Sequence, residues 1–307
     1  MRALVATGRT PGRAALVDVE RPEPGPHEAL VAVRAVSLNR GEVYALGSAD
    51  PGWRPGWDLA GEVVQGAADG SGPPDGSRVV GLVGHGAWSE EVAVAGDWLA
   101  QLPDTVDFAA ASTLPVAGLT ALRALRFAEQ LDGARVLVTG AAGGVGRFAV
   151  RLASAAGARV TAVVGGEARS RGLAELGATE VVVGMPADGR FDLVLESVGG
   201  ESMARALELV DQRGTVVSYG VSSHEPTTFD AGPFFRKGGT RLCGLLLFEE
   251  LTHHRSAALD LSHLVGLLAR GTLDPQIALE ASWHDPEPAF TALLDRRVDG
   301  KAVLHLD

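Results

Sequence analysis

The sequence predicts an α/β fold in which a doubly wound parallel sheet is inserted into a β-rich domain. From about residue 134 to 248, near-continuous apolar runs alternate with helical stretches, as in a sheet covered by helices on both faces. Residues 1–116 instead give short β-rich runs broken by proline and glycine. The tail from residue 252 is too short to bury its own core. The predicted domains are therefore 1–116 with 252–307, and 117–251.

Composition excludes several classes of protein. The 307 residues carry a net charge of -11 without a basic stripe, which argues against nucleic-acid or anionic-membrane binding. The single cysteine, Cys243, excludes an intramolecular disulfide and a multi-cysteine zinc site. Neither a membrane-spanning run nor a signal-peptide stretch is present, so we expect a cytoplasmic protein. Only Lys237 and Lys301 are lysines, leaving 25 arginines among 27 basic residues (27 minus 2).

The first domain is predicted to be a small barrel or sandwich. Turn signals at Pro22–Pro26 and Gly72–Gly76 separate its short runs. The expected strands are Ala3–Ala6, Ala15–Val19, Leu30–Val36, Gly61–Val64, Arg78–Val83 and Trp88–Val94. For the tail we expect helices at Leu259–Leu268 and Pro288–Leu294 and a final strand at Ala302–Leu306.

The second domain has the rhythm of a dinucleotide-binding sheet. Phe148, Leu152 and Ala156 recur every four residues, as on one face of a crossover helix. The expected strands are Val136–Thr139, Val160–Val164, Val181–Val183, Phe191–Leu195, Val216–Tyr219 and Leu242–Phe248. Six such strands with intervening helices predict a doubly wound sheet.

A glycine-rich turn follows the first of these strands. The segment Gly140–Gly146 reads A-x-G-x-x-G from Ala141, and the helical stretch Arg147–Ala156 comes next. Glycines allow the backbone to approach a pyrophosphate, and the helix N-terminus presents free N–H groups to it. We expect a dinucleotide to contact this turn at Ala142, Gly143, Gly144 and Val145.

The end of the second strand indicates which dinucleotide binds. An NAD site usually has an acidic residue there for the ribose 2′-OH. Here Gly165 and Gly166 end the strand, Glu167 comes one step late, and Arg169 and Arg171 lie close by. Two glycines leave room for a 2′-phosphate, which an arginine fork can bind. The pattern favours NADPH over NADH; the alternative is that both arginines simply face solvent.

The chain resembles the medium-chain dehydrogenase/reductase superfamily, specifically its zinc-free quinone oxidoreductase branch. Nearly the whole chain takes part, and the matching segments keep a common order and spacing. They are Val36–Arg40, Gly56–Gly61, Gly86–Glu90, Gly118–Ala121, Ala141–Gly146, Asp192–Gly200 and Gly300–Lys301. The resemblance implies a GroES-like β-barrel catalytic domain interrupted by a Rossmann domain that binds NADPH.

The resemblance also implies roles for single residues. Arg169 stands where relatives often have a lysine on the 2′-phosphate, and Asn39 and Tyr44 match polar residues near the nicotinamide and substrate. Gly165 and Gly184 depart from a frequent serine and tyrosine, and Glu196 replaces the usual aspartate. Further cofactor contacts are implied for Thr120, Ser197, Gly199, Gly220 and Val221.

The same resemblance implies a reaction that does not use zinc. Zinc-using relatives have a cysteine near Asn39 and Gly-His-Glu where this chain has Gly56-Trp57-Asp58, so a Lewis acid for alcohol oxidation is not expected. Hydride transfer from NADPH to a quinone or an α,β-unsaturated carbonyl needs less assistance. Asn39 and Tyr44 are the predicted catalytic residues, with the Tyr44 hydroxyl as the first candidate for the proton donor. A packed Tyr44 with a surface hydroxyl is the alternative; His85 is a weaker candidate that could equally be a solvated loop residue.

Two other functions and one assembly follow from the same residues. An enoyl reductase of lipid or polyketide assembly would share nearly the same active-site chemistry. A non-catalytic NADPH-binding redox sensor would bind the dinucleotide without consuming it. The run Leu242–Phe248 is expected to be an open, apolar edge strand, through which we predict a two-fold homodimer.

Overall fold

The computed structural model describes residues 1–10, 12–254 and 256–306, without the side chain of His254. These residues cluster into two compact units. The first is Met1–Leu119 with Phe248–Asp307, and the second is Thr120–Leu247. Within the described ranges, no helix has both the length and the apolar character needed to cross a bilayer.

Fifteen strands are formed by the described residues. In chain order they are β1 (Arg2–Ala6), β2 (Ala14–Asp18), β3 (Glu28–Leu38), β4 (Asp58–Gln65), β5 (Arg78–Leu82), β6 (Glu91–Ala95), β7 (Leu99–Gln101), β8 (Arg135–Val138), β9 (Arg159–Val164), β10 (Glu180–Val183), β11 (Phe191–Glu196), β12 (Val210–Ser218), β13 (Arg241–Gly244), β14 (Ile277–Ser282) and β15 (Lys301–His305).

The α-helices formed by the described residues are mostly short. They are α1 (Arg40–Ala45), α2 (Phe108–Ser112), α3 (Leu119–Leu125), α4 (Gly144–Ala155), α5 (Gly200–Leu209), α6 (Ala231–Arg236), α7 (Leu247–His254), α8 (Ala258–Ala269) and α9 (Glu287–Leu294). A π-helical turn, Leu114–Gly118, precedes α3, and 3₁₀ turns lie at Gly96–Trp98 and Glu167–Arg169.

Strand β3 organises the first unit, the GroES-like domain. It pairs antiparallel with β6, β4 and β15 at successive positions along its eleven residues. The seven-stranded sheet runs β14-β15-β3-β4-β5-β7, with β6 added on β3, and β1 and β2 form a separate pair. In its core, Trp88 stacks on Phe290 with ring centroids 5.2 Å apart. Because Ala302 pairs with Leu38, the start of β15 lies beside the end of β3.

The second unit is a parallel, six-stranded Rossmann sheet. Its order, β10-β9-β8-β11-β12-β13, reverses between β8 and β11, as a doubly wound topology requires. Helix α4 connects β8 to β9 and buries Phe148 and Leu152, two of the three residues of the predicted four-residue spacing. The third, Ala156, lies just after the helix and is exposed. All six strands point the same way, so the loops after β8, β9, β11 and β12 emerge at one edge.

The prediction of one strand over Leu242–Phe248 is wrong. Strand β13 ends at Gly244, opposite Ser218, which is the last residue of β12. The Leu245 N–H donates one further hydrogen bond to the Ser218 carbonyl. Pairing then stops, because β12 ends at Ser218. Leu247 and Leu251 are then buried four residues apart, on one face of α7. The apolar run is thus divided between a short edge strand and a helix.

Candidate functional site

Asn39 is the centre of a polar cluster in the first unit. It follows β3 directly and precedes α1. The side-chain oxygen, Oδ1, accepts a hydrogen bond of 2.8 Å from Lys301 Nζ. Its nitrogen, Nδ2, donates to Asp58 Oδ2 at 2.8 Å and to Glu42 Oε1 at 3.4 Å. Three residues, from α1, β4 and β15, therefore meet around one amide.

Lys301 and Asp58 form a buried ion pair within this cluster. Lys301 is 2% exposed and Asp58 is fully buried. Besides Asn39, Lys301 Nζ donates to the Leu38 carbonyl at 3.1 Å and to Asp58 Oδ2 at 3.4 Å. Asp58 also accepts the Ser37 hydroxyl at 2.6 Å and the Val116 N–H at 2.8 Å. Because every polar atom of the pair has partners, the desolvation of both charges is compensated.

Glu42 is a second buried carboxyl in the cluster. Its Oε1 accepts the Asn39 N–H at 2.6 Å, and its Oε2 accepts the Trp57 N–H at 2.9 Å. Burial and the neighbouring Asp58 raise the pKa of Glu42 well above its ordinary value, against the opposing effect of its hydrogen bonds and Lys301. The cluster thus contains two carboxyl groups, of Glu42 and Asp58, and the ammonium group of Lys301.

Tyr44 and His85 lie in more open surroundings. Tyr44 is the fifth residue of α1 and is 56% exposed, whereas Asn39 at the other end of this helix is partly buried. His85 is exposed in the loop that follows β5. Of the two predicted catalytic residues, Asn39 is therefore held rigidly by its neighbours, while Tyr44 lies at the surface of its unit.

In the second unit, the glycine-rich turn packs closely against the start of α4. Helix α4 begins at Gly144, and Gly143 before it supplies no side-chain cap. The N–H groups of the first helical turn consequently have no acceptor within the helix. A Cβ on Gly146 would lie 2.5 Å from the Gly140 carbonyl oxygen and 2.6 Å from Ala141 Cα. Only glycine lets the helix approach the turn this closely, so the geometry fits a pyrophosphate at Ala142–Val145.

Open space surrounds the two glycines after β9. A Cβ built on Gly165 or Gly166 would meet no heavy atom within 4 Å. Arg169 ends the 3₁₀ turn that follows, and Arg171 is exposed two residues later. The space and the nearby guanidinium groups fit a phosphate. The glycines directly after β9 also place no acidic side chain there that would repel it.

Glu196 organises the loop after β11. Its fully buried carboxylate accepts the N–H groups of Val198 at 2.9 Å and Gly199 at 3.0 Å. It also accepts the hydroxyls of Ser202 at 2.9 Å and Thr139 at 3.3 Å. The carboxylate thereby ties the loop to the end of β8 and to the first turn of α5. Glu196, which replaces the usual aspartate, thus accepts four hydrogen bonds.

Ser197 and Tyr219 also converge on Thr139, the residue after β8. The Ser197 N–H donates to Thr139 Oγ1 at 2.9 Å, and its hydroxyl donates to the Thr139 carbonyl at 3.3 Å. The Tyr219 hydroxyl donates to the same carbonyl at 3.4 Å, and burial raises the pKa of this phenol. The loops after β8, β11 and β12 are therefore bound to one another at the carboxyl edge of the sheet.

The remaining predicted cofactor residues occupy different environments. Gly199 has φ +80°, and a Cβ on Gly220 would lie 3.1 Å from the Ser197 carbonyl oxygen. Val221 is 61% exposed, whereas Thr120, the first residue of the second unit, is buried. Gly199, Gly220 and Val221 lie in the loops after β11 and β12, beside the glycine-rich turn.

Sequence reasoning missed most of the Asn39 cluster. Asp58 and Lys301 lie in segments that carry the resemblance, but neither was assigned a role, and Ser37 and Glu42 were not singled out. A signal was present, because Lys301 is one of two lysines and starts an otherwise apolar strand. An isolated charge in an apolar run is buried only with a partner.

The described residues contain no group of three or more His, Cys, Asp or Glu side chains placed to hold a metal ion. The two carboxylates of the Asn39 cluster fit a metal poorly. Asp58 already accepts the ammonium of Lys301, and both oxygens of Glu42 accept backbone N–H groups. The cluster is therefore suited to hydrogen bonding.

Comparison with known proteins places this geometry in a family. Residues 25–104 match the alcohol dehydrogenase GroES-like domain, and residues 144–263 match the zinc-binding dehydrogenase family. The quinone oxidoreductase of Pseudomonas aeruginosa is 31% identical over 94% of each chain. A mycocerosic acid synthase-like polyketide synthase of Mycolicibacterium smegmatis is 30% identical over 91% of this chain, which spans 14% of that protein. The crystal structure of a quinone oxidoreductase from Pseudomonas syringae pv. Tomato DC3000 covers all of both chains with a TM-score of 0.86 and 27% identity. The chain therefore belongs to the quinone oxidoreductase branch of the medium-chain dehydrogenase/reductase superfamily.

Proposed function

We propose that this protein is an NADPH-dependent reductase that transfers hydride to a quinone or an α,β-unsaturated carbonyl without zinc. The observation that carries the proposal is the ammonium of Lys301 against Asp58 and Asn39. A fixed cation there repels a metal ion and occupies the carboxylate that would ligate it. Family membership supports the reductase, and the ion pair supports metal-free chemistry.

For the cofactor, we propose a site at the carboxyl edge of the parallel sheet. The turn Ala142–Val145 would hold the pyrophosphate, and Arg169 beside Gly165 would hold the 2′-phosphate. The nicotinamide half would contact Thr120, Ser197, Gly199, Gly220 and Val221. When bound, NADPH supplies the hydride for an electron-poor carbon of the substrate.

The substrate must be electrophilic before it binds, because the proposed site provides no Lewis acid. Quinones and enones satisfy this condition, since conjugation alone makes a carbon accept hydride. Tyr44, with its exposed side chain, would orient the substrate or supply the proton that follows, with water as the alternative donor. We further propose that the enzyme is cytoplasmic, in keeping with its single, unpaired cysteine.

The polyketide synthase match favours a second candidate, an enoyl reductase acting on enoyl thioesters. A thioester-conjugated double bond accepts hydride in the same way, so the two activities share their chemistry and differ in the group that flanks it. A non-catalytic NADPH sensor is the third candidate.

The test is a screen of NADPH oxidation at 340 nm against quinones, enones and enoyl thioesters, with and without a chelator. We expect turnover of a quinone or an enone that the chelator does not reduce. Faster turnover of enoyl thioesters would select the second candidate, and NADPH binding without turnover of any acceptor would select the sensor. Stoichiometric zinc in the purified protein, or loss of activity in chelator, would overturn the metal-free reaction.

A further inference from the structure

The structure assigns Lys301 as the positioning residue that fixes the orientation of the Asn39 amide, so that Asn39 offers an outside ligand only an accepting oxygen. The orientation is a property of the free protein. Its use in catalysis rests on the proposed function, together with the expectation that Asn39 contacts the cofactor or the substrate.

The neighbours of Asn39 permit only one orientation of its side chain. An amide can turn by 180° about its Cβ–Cγ bond, which exchanges oxygen and nitrogen. Lys301 is purely a donor and the carboxylate of Asp58 is purely an acceptor. The observed orientation places Oδ1 toward the ammonium and Nδ2 toward the carboxylate, both at 2.8 Å. The reverse orientation would oppose donors on one side and acceptors on the other.

Most donor and acceptor positions of the Asn39 amide are already occupied in the free protein. The two N–H groups on Nδ2 are taken by Asp58 Oδ2 and Glu42 Oε1. Of the two lone pairs on Oδ1, Lys301 Nζ uses one. The second lone pair faces the backbone N–H of Glu42 in the capping box at the start of α1, but it makes no capping hydrogen bond there, so it is the one accepting position left for a ligand. Asn39 can therefore bind a hydroxyl or an amide N–H, such as those of a ribose or a carboxamide, but it cannot polarise the carbonyl oxygen of a quinone or an enone.

Lys301 itself has no donor left for a ligand. Its three N–H groups are directed to the Leu38 carbonyl, Asn39 Oδ1 and Asp58 Oδ2, and the side chain is 2% exposed. It therefore acts through Asn39 and does not touch the substrate.

The other lysine has similar surroundings. Lys237 Nζ also donates to three oxygens, the carbonyls of Leu207, Glu208 and Val210, at 2.7 to 2.9 Å. A compact ammonium can direct three N–H groups to converging acceptors, whereas a guanidinium is a planar fork. Arginine occupies 25 of the 27 basic positions of the chain (27 minus 2), and lysine occupies these two, where three acceptors converge.

The test uses the fact that Asn39 is the only asparagine in the sequence. Protein labelled with ¹⁵N at asparagine gives one side-chain NH₂ group, which can be observed in the free protein. We expect two resolved protons, both protected from solvent exchange because both are hydrogen-bonded. Fast exchange of either proton in the wild type would overturn the acceptor-only orientation without any substitution.

Two substitutions then assign the orientation to Lys301. In Lys301→Met, the pair of signals should move together and lose protection, and NADPH binding should weaken about three- to tenfold, equivalent to one hydrogen bond. Lys301→Arg should restore neither the signals nor the affinity. Lys237→Met is the matched control: it also removes a triply bonded ammonium, but it should leave the Asn39 signals unchanged.

The outcomes separate this inference from the proposed function. Unchanged, protected Asn39 signals in Lys301→Met would overturn the role of Lys301. If that variant does not fold, exchange protection in the wild type still decides whether Asn39 has a free donor. A wild-type protein that neither binds nor oxidises NADPH would overturn the proposed function, while the amide signals would still report the orientation.

Discussion

Gly146 packs so closely on Gly140 that a Cβ atom would lie 2.5 Å from the Gly140 carbonyl oxygen. Gly146→Ala should therefore push α4 away from the turn and destabilise the protein by about 1–3 kcal/mol, with weaker NADPH binding. Gly165→Ala is the matched control, since its Cβ meets nothing within 4 Å. Denaturant unfolding and fluorescence titration with NADPH measure both effects. Equal stability of the two variants would contradict the close contact.

The cofactor preference can be tested at Arg169. Removing the guanidinium in Arg169→Ala should weaken NADPH binding roughly ten- to hundredfold and leave NADH nearly unchanged, because a hydrogen bond to a charged group contributes about 1.5–3 kcal/mol. Arg171 lies close in sequence and can share this role, so the double variant should show the full loss. Gly165→Glu should reverse the preference, since a carboxylate repels the phosphate and accepts ribose hydroxyls. A wild type that binds both dinucleotides equally would refute the proposal.

Arg135 connects the starts of three neighbouring strands. It donates to Asp192 and Asp211, at 2.7 Å each, and holds the pKa of both carboxyls below the ordinary value. Carboxyls with a lowered folded-state pKa contribute stability above their unfolded pKa of about 3.9, and lose it as the pH falls through the folded value. Arg135→Met should thus cost up to about 1 kcal/mol at pH 7, given the partial exposure, and less below pH 4.

A suitable control is Arg297→Met. Arg297 pairs with Asp295 at 3.1 Å, but both side chains are more than half exposed, so the change should stay within about 0.5 kcal/mol. Urea unfolding between pH 3 and pH 7 gives the comparison. A cost for Arg135→Met that grows as the pH falls would have the wrong sign.

The carboxylate of Glu196 should not be replaceable by an amide. The four groups that form hydrogen bonds with it are all donors, so Glu196→Gln would set an NH₂ group against at least one N–H or hydroxyl donor. We expect a loss of about 1–3 kcal/mol in unfolding free energy. Glu201→Gln, at an exposed position in the first turn of α5, should change it by less than about 0.5 kcal/mol. Comparable values for the two variants would show that the buried hydrogen bonds contribute little.

We also expect a two-fold homodimer that uses the open side of β13. This strand has only four residues, but it is at the edge of the sheet, and Leu242 on it is 48% exposed. Leu242→Glu should produce a monomer at concentrations where the wild type is dimeric, as read by light scattering. Val183→Glu is the control. Val183 is an exposed residue of β10, the opposite edge strand, so this variant should keep the mass of the wild type. A monomeric wild type at micromolar concentration would contradict the assembly.

The fold could be predicted from the sequence because its signals are local. Turn residues separate the first strands, and most strands of the Rossmann sheet contain a near-continuous apolar run. Prediction failed where the limit of an element depends on its neighbour. Residues 242–248 have one apolar texture, but β12 ends at Ser218, so pairing ends at Gly244 and the chain turns into α7.

For the site, the sequence indicated positions but not their connections. Asn39 was identified through its segment, yet its orientation depends on Asp58 and Lys301, which are 19 and 262 residues away. Such a cluster has no spacing rule, because it is created by the pairing of β3 with β4 and β15. The same holds for Glu196, whose four donors become visible only when the loops are folded.

The two lysines make the protein a reporter of its own local opening. Lys237 lies in the nucleotide-binding unit and Lys301 in the GroES-like unit, and each ammonium is engaged by three oxygens while its surroundings are folded. While those bonds hold, acylation by an amine-reactive reagent is slowed, more for the buried Lys301 than for the partly buried Lys237. The two reaction rates therefore report how often Lys237 leaves the carbonyls at the end of α5, and how often β15 leaves β3. A chain with ordinary lysine content would hide both rates beneath the labelling of its surface.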